Sequence, residues 1–406
     1  MASRPQKDQE TALDMVKKGG TLLLLDVPQF TLVGIDTQVY SVGPNFKGIK
    51  MLPPGPHFVY YCSSNKDGNE FSPTLSFFII TYPSEVVVRK WYPQEERFVN
   101  VTEDEEEWFS EAVRRMEFDL QLGPYPLDHY AEWKQLSNYL SESIISRIEP
   151  IGGGITISQE SALFGREPKT EMEKRLLEQL KSIKSSQPAA EKNEKRGCYY
   201  TTIPKNFKQS NITGEELTAL NLDKSKLLDN VLMGSFGGEE GLILGELQFA
   251  FIAFMMGQSL EGFVQWKDLV CLFFSCTEAP LLTRSQLFTK FIRAVFFQLK
   301  HGFHQDHAKG NNVDKGTSLF LDDHWFSKDV FLYRLCKEFF PLVLDAEVVD
   351  GDLLLWTRKL KQLLETTFGW SFGDGSMDFN FEEDDEFAPV VVCLNEAGGT
   401  HDGQAT

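Results

Sequence analysis

Between residues 21 and 99 the apolar positions fall into short runs, at 21–25, 30–35, 58–62, 75–82 and 86–91, each bounded by Gly, Pro, Asn or Asp. Runs of that length between turn formers predict strands, here of an antiparallel β domain. The segment between the second and third runs carries Pro44, Pro53, Pro54 and Pro56 with Gly43, Gly48 and Gly55. Each proline fixes φ and removes a ladder donor, so this stretch is expected as a structured turn region.

The period then changes. A helix is predicted over 102–122, opened by Thr102 and by Glu103, Asp104, Glu105 and Glu106, whose charges complement the helix dipole. A second is predicted after Asp128, with Trp133, Leu136, Leu140, Ile144 and Ile148 along one face. Both are expected to cover the sheet. Residues 165–196 are nearly half Lys, Arg and Glu, and Ser185, Ser186, Pro188, Ala189 and Ala190 form a breaker-rich stretch, so a linker is expected there. Thr170 and Glu173 match a capping box, which predicts a short exposed helix within it.

Beyond residue 241 the pattern is helical almost throughout. One apolar stripe runs through Leu287, Phe288, Phe291, Ile292, Val295, Phe296 and Leu299; another through Phe331, Leu332, Leu335, Cys336, Phe339 and Phe340, ending at Pro341. A third joins Leu353, Leu354, Leu360, Leu363 and Leu364 behind Asp350 as N-cap. Residues 247–256 are apolar on nearly every side, which predicts a central buried helix; no fixed-period repeat runs through these helices. Residues 374–386 are rich in Asp and Glu and hold no Lys or Arg. After them comes Pro389, Val390, Val391, Val392, Cys393 and Leu394, a β-branched run with no neighbouring partner strand.

These shifts give an α+β chain: a β-rich N-terminal domain with two helices at 1–150, a charged linker region at 151–240, a helical C-terminal domain at 241–370, and an acidic tail at 371–406 with a strand at 389–394. The length of 406 residues agrees, because one core seldom serves so long a chain. The 33 phenylalanines, concentrated in the second half, are expected to fill helix cores.

Charge narrows the choice of partner. A net charge of −19 disfavours direct nucleic-acid binding, which needs Lys and Arg to neutralise phosphate, and favours a basic protein surface. No run is long and apolar enough to span a bilayer, and residues 1–20 are polar rather than signal-like, so a soluble intracellular protein is expected. Six cysteines without paired spacing suit buried thiols in a reducing compartment.

Candidate chemistry is sparse. The segment from Gly43 to Lys50 superficially resembles a phosphate loop, but Ile49 and Lys50 stand where Lys and Ser or Thr would be needed. Gly152, Gly153 and Gly154 lack the context of a dinucleotide site and read as a turn. His301, His304 and His307 flank Asp306 and are the best metal candidates, yet steps of three drift around a helix, and a solvated helix end is expected instead. Asp322, Asp323 and His324 read as a helix start, since adjacent residues do not share a helix face. No nucleophile elbow or RNA-binding aromatic motif occurs, so no catalytic, cofactor or metal site is expected. The acidic stretch reads equally as a solubilising appendage, and the strand at 389–394 either as an interaction strand or as an edge strand of its own chain.

Several stretches resemble the AAR-two splicing-factor family: Gly34-Ile35-Asp36, Val42-Gly43-Pro44-Asn45-Phe46-Lys47-Gly48-Ile49-Lys50-Met51, Pro53-Pro54-Gly55-Pro56-His57-Phe58 and Leu122-Gly123-Pro124-Tyr125-Pro126. So do Leu244-Gly245-Glu246-Leu247-Gln248-Phe249-Ala250-Phe251, Trp266-Lys267 and Ala388-Pro389-Val390-Val391-Val392. They run in order through both domains and the tail, and skip residues 150–240. The resemblance implies an N-terminal β-sandwich-like domain with covering helices, a C-terminal all-α superhelical domain like the VHS fold, and a tail strand. It implies a non-enzymatic factor for U5 small nuclear ribonucleoprotein assembly, in nucleus and cytoplasm. Its partner would be the large spliceosomal scaffold protein, bridged at its RNase H-like and MPN-type domains, with U5 snRNA reached only through it. Bound there, the factor would block premature loading of the spliceosomal helicase, with Pro389, Val390, Val391, Val392, Cys393 and Leu394 at the interface. A generic helical adaptor of VHS or tetratricopeptide kind would explain the C-terminal half but not residues 43–58. A metal-dependent enzyme would need His301, His304 and His307 to converge.

Overall fold

The structure, a computed structural model, describes residues 18–65, 71–156, 197–204, 213–307 and 331–372, with side chains to Gly302 in the fourth span. Its strands are β1 (Gly20–Leu25), β2 (Leu32–Ile35), β3 (Gln38–Ser41), β4 (Gly48–Leu52), β5 (Gly55–Cys62), β6 (Leu75–Thr81), β7 (Val86–Tyr92), β8 (Arg97–Asn100), β9 (Leu122–Pro124) and β10 (Ile155–Thr156). They form two five-stranded sheets, ordered β8-β7-β1-β4-β9 and β10-β6-β5-β2-β3.

The sheets face each other. Leu22 and Leu24 of β1, with Val87 and Trp91 of β7, meet Val33, Ile35, Val59, Tyr61 and Ile79 of the second sheet. Alternate residues point away: Leu23, Leu25, Val86 and Val88 lie under α1 (Glu103–Arg114), packed on Phe109 and Val113. Both faces of β1 are therefore covered, and this is why it reads as a continuous apolar run. The antiparallel expectation needs correction, because β1–β7 and β4–β9 pair in parallel. Between β1 and β7 the chain crosses into the second sheet and back twice, through β2–β3 and then β5–β6, and such a return sets no antiparallel register. The supposed turn region also contains β4, where Gly48 has a φ of 141° and a Cβ would fall 2.0 Å from the Leu22 carbonyl oxygen. Gly152 and Gly153 form the expected turn.

The remaining helices are α2 (Leu127–Ser137), α3 (Glu142–Ile148), α4 (Gly214–Leu222), α5 (Ser225–Phe236), α6 (Glu240–Met255), α7 (Leu260–Phe274), α8 (Ser285–His307), α9 (Phe331–Leu344) and α10 (Gly351–Phe368). Thr102 opens α1 with a capping box to Glu105. The helix predicted to reach residue 122 stops at Arg114, and Met116 turns the chain with a φ of 61°, freeing β9 to pair with β4. The helix predicted after Asp128 is two helices, with Ser141 capping the second by accepting from the Ile144 N–H. Within the expected linker region, β10, residues 197–204, α4 and α5 are ordered elements, and α5 buries Leu227, Leu228, Val231 and Leu232. Residues 165–196, with the capping box at Thr170, lie outside the described residues. Helix α9 does not end at Pro341: burial of Phe339, Phe340 and Val343 carries it to Leu344, with Pro341 in its last turn.

As predicted, α6 is buried on every side from Ile243 to Phe254, and Asp350 caps α10 through the N–H groups of Asp352 and Leu353. The outer face of the second sheet supplies Phe58, Tyr60 and Phe78 to the same apolar cluster that holds α2, α3 and the C-terminal helices. Phe78 lies 4.6 Å from Phe249, ring to ring. The sheet lobe and the helical lobe thus share one core, unlike the wetter contact typical of mobile domains. Among the described residues no helix is long and apolar enough to cross a membrane.

Candidate functional site

Three of the stretches singled out in the sequence converge inside the sheet lobe. Asp36 sits in the two-residue turn between β2 and β3, with a φ of 53° that Asp tolerates better than most residues. Its Oδ2 accepts from His57 Nδ1 at 2.7 Å and from the Tyr125 hydroxyl at 2.6 Å, and its Oδ1 accepts from the Phe58 N–H at 2.9 Å. His57 Nε2 donates to the Pro53 carbonyl at 2.7 Å, and Trp133 Nε1 donates to the Pro56 carbonyl at 2.9 Å. Both imidazole nitrogens therefore face acceptors, which calls for a proton on each. Burial pushes the His57 pKa down, but the Asp36 charge and hydrogen bond, with the Pro53 carbonyl, outweigh it and leave the pKa raised. Burial and Asp36 push the Tyr125 hydroxyl up.

An Asp, a His and a Tyr in hydrogen-bonded contact can suggest catalysis. Here the Asp36 and His57 side chains are each only 1% exposed and both ring nitrogens are committed, so the imidazole has no nitrogen to offer a ligand. The cluster locks the 53–58 segment and the start of α2 onto the second sheet.

A second network lies at the junction of the lobes, on α6. Glu246, fully buried, accepts from the Thr201 N–H at 2.8 Å and from Gln265 Nε2 at 2.7 Å through Oε1, and from the Thr201 hydroxyl at 2.8 Å through Oε2. Arg147 of α3 donates to the Thr201 hydroxyl at 3.0 Å. Burial pushes the Glu246 pKa up, and the Thr201, Arg147 and Gln265 contacts only partly oppose it. Two residues on, Gln248 accepts from the Tyr139 N–H at 2.7 Å and donates to Asn138 Oδ1 at 2.7 Å. Gly245 permits this approach, since a Cβ there would lie 2.6 Å from the Tyr139 carbonyl oxygen. The stretch 244–251 is thus a clamp. Its apolar residues build the shared core, while Glu246 and Gln248 satisfy the backbone of residues 139 and 201.

The sequence candidates distribute unevenly. Pro389, Val390, Val391, Val392, Cys393 and Leu394 lie outside the described residues, as do the acidic stretch 374–386 and Asp322, Asp323 and His324. His301 is not at a solvated helix end: it is buried, and its Nδ1 pairs with Glu132 Oε1 of α2 at 2.7 Å. The side chains of His304, Asp306 and His307 are outside the described set. Among the described residues no cluster of three or more His, Cys, Asp or Glu could hold a metal. Cys198, Cys271, Cys276 and Cys336 are buried and Cys62 is half-buried. Sequence reasoning missed the roles of Asp36, His57, Tyr125, Glu246 and Gln248; only their place in the quoted stretches hinted at them.

Comparison with known proteins covers the same ground. The AAR2 N-terminal domain matches residues 18–150, and the AAR2 C-terminal repeat region matches residues 200–373. The chain is 31% identical to "Protein AAR2 homolog" of Caenorhabditis elegans over 371 residues, 88% of this chain and 96% of that protein. It is 28% identical to the Homo sapiens homolog over 400 residues, 96% of this chain and 98% of that protein. It is 23% identical to "A1 cistron-splicing factor AAR2" of Saccharomyces cerevisiae over 296 residues, 69% of this chain and 76% of that protein. With both lobes matched and the Caenorhabditis elegans and Homo sapiens relatives aligned along nearly their whole length, this chain belongs to the AAR2 family.

Proposed function

We propose that this chain is a non-enzymatic pre-mRNA splicing factor that acts in U5 snRNP assembly. It binds the RNase H-like and MPN-type domains of the large spliceosomal scaffold protein and blocks premature helicase loading, in nucleus and cytoplasm, without a cofactor or direct contact with nucleic acid. The observation that carries the splicing role is the family match through both lobes, with a yeast relative named a cistron-splicing factor. Two physical features support the finer reading. The net charge of −19 favours a basic protein partner. The shared core lets both lobes meet that partner as one preorganised body, which lowers the entropy lost on binding.

The tail strand at 389–394 joins by strand addition, with Val390 and Val392 facing one way and Val391 and Cys393 the other. A few ladder bonds at about 1 kcal/mol each must offset backbone ordering at about 1–2 kcal/mol per residue, so the strand alone binds weakly. Docked lobes raise its effective concentration. The test is binding of the full chain to purified scaffold fragments. Val391→Pro removes a ladder donor and is expected to weaken binding about tenfold or more, or about 1.4 kcal/mol, whereas Val391→Thr loses less. Equal binding by wild type and the proline variant would sink strand addition, and no binding by wild type would sink the partner.

A further inference from the structure

Helices α8 and α10 pack side by side, and their shared outer face is basic in an otherwise acidic protein. From Ser285 to Gly302, α8 carries Lys290, Arg293 and Lys300 and no Asp or Glu, while α10 carries Arg358, Lys359 and Lys361 against Asp352 and Glu365. The spacing sets Arg293, Phe296, Phe297 and Lys300 on one stripe of α8, and Trp356, Lys359 and Leu363 on one stripe of α10.

The stripes meet at Trp356, whose ring lies 5.6 Å from that of Phe296 and 5.8 Å from that of Phe297. Lys359 Nζ stands 4.3 Å from its centroid and the Arg293 guanidinium 5.4 Å. Trp356 is half-buried, and Arg293, Lys300, Leu355 and Lys359 around it are exposed. Some of this charge is already engaged: Arg293 donates to Gln135 Oε1 at 3.3 Å, and Lys361 is 3.9 Å from Glu365. Leu353, Leu360 and Leu364 seat α10 in the shared apolar core, so its packing does not require the cations. An aromatic face flanked by exposed cations fits a chain in which carboxylates alternate with aromatic rings.

Such a chain lies just beyond α10. Residues 374–386 hold Asp374, Asp378, Glu382, Glu383, Asp384, Asp385 and Glu386 with Phe379 and Phe381, and no basic residue. Gly369, at a φ of 63°, ends α10 and turns the chain back, so that Trp370 and Phe372 pack against Tyr333 of α9. Trp356 is about 18 Å up the helix from Phe368 at 1.5 Å per residue, a distance an extended tail covers in about six residues. We propose that residues 374–386 dock on the α8–α10 seam of their own chain, with carboxylates on Arg293, Lys300 and Lys359 and a phenylalanine ring against Trp356. The docked stretch holds the neighbouring 389–394 strand close to the helical lobe until a basic partner surface competes for the carboxylates. This inference stands apart from strand addition, because it concerns the acidic stretch and needs no partner.

The experiment uses the full chain with a spin label at Asn380→Cys, in a background of Cys62→Ser and Cys393→Ser; the other four cysteines are buried. The indole N–H signals of the tryptophans are read with the label oxidised and reduced, and Trp356→Phe assigns the signal. At low salt the Trp356 signal is expected to broaden, while those of Trp91 and Trp133 do not. In ~1 M salt, where screening acts within about 3 Å, the effect is expected to vanish. It is also expected to vanish in Arg293→Glu with Lys359→Glu. Reversal of the tail charges in Asp384→Lys with Asp385→Lys and Glu386→Lys should do the same without touching the folded lobes. An unbroadened Trp356 at low salt, or broadening that survives the tail reversal, overturns the proposal. So does an unbroadened Trp356 whose signal moves when a short RNA is added, since the seam would then serve nucleic acid.

Discussion

Asp36 and Glu246 are both buried carboxylates that tie distant parts of the chain together, but their surroundings differ in kind. Asp36 faces an imidazole that carries protons on both nitrogens, a phenol and a backbone N–H. Glu246 faces a backbone N–H, a hydroxyl and a carboxamide, with Arg147 one step further away. A matched buried pair is cheap only while both members are present, because either alone is an uncompensated charge. A carboxylate held by neutral donors can be exchanged for a neutral acceptor with far less loss. The sheet lobe is therefore locked by charge, whereas the lobe junction is held by hydrogen bonds that do not depend on one.

The largest effect should come from Asp36→Ala. It leaves His57 and Tyr125 buried without their shared acceptor, orphans the Phe58 N–H, and puts Ala where φ is positive. A loss of about 3–5 kcal/mol in chemical denaturation is expected. Asp36→Asn keeps the turn preference and removes only the charge, so it should fall short of the alanine variant yet still lose more than any carboxamide exchange at Glu246. If the two exchanges cost the same, the distinction between charge-locked and hydrogen-bonded sites fails.

The next effect is on pH dependence. The His57 pKa is raised in the folded state above its ordinary 6.5, so the folded protein holds this proton more tightly than the unfolded chain. The stability it contributes is complete below about pH 6.5 and is lost as pH rises through the folded-state pKa, at up to about 1.4 kcal/mol per pH unit. Glu246 is also raised, from 4.5, so its contribution has the same sign in a window that opens at lower pH. Unfolding free energy measured from neutral to alkaline pH should fall more steeply in wild type than in His57→Gln, which cannot titrate. Parallel slopes would show that His57 carries no proton linkage.

The helical lobe was largely legible because its signals are local. The stripe from Leu287 to Leu299 and the Asp350 cap stand as read, and the run at 247–256 marked the buried helix. The strands β1, β5, β6 and β7 were equally visible as apolar runs. What local pattern could not show is pairing over distance. Strand β4 hid among prolines and glycines, and its parallel partner β9 hid at the end of a predicted helix. Asp36 meets Tyr125 across 89 residues, and His301 meets Glu132 across 169. Helices α4 and α5 were missed because the charge of residues 165–196 was extended to a neighbouring segment whose Leu227, Leu228 and Val231 belong to the core. Glu246 and Gln248 sat in plain view in a run otherwise apolar, and two polar residues on a helix buried all round are themselves a signal that something beyond the helix must satisfy them.

The smallest expected effect, and the sharpest test of the comparison, is Glu246→Gln. The amide oxygen can still accept from the Thr201 N–H and from Gln265, and only the acceptor at the Thr201 hydroxyl is lost. That hydroxyl keeps the Arg147 contact at 3.0 Å, so the cost should stay under about 1 kcal/mol. Glu246→Ala removes every acceptor and leaves the Thr201 N–H buried, which should cost about 1–3 kcal/mol and expose residues 197–204 to protease. The amide also avoids burying a charge. As pH rises through the raised folded-state pKa of Glu246, wild type loses stability that the variant never had to lose, so the gap between them should narrow or reverse toward alkaline pH. A gap that widens with pH would mean that the Glu246 charge itself holds the junction, through Arg147, and the two networks would then be alike.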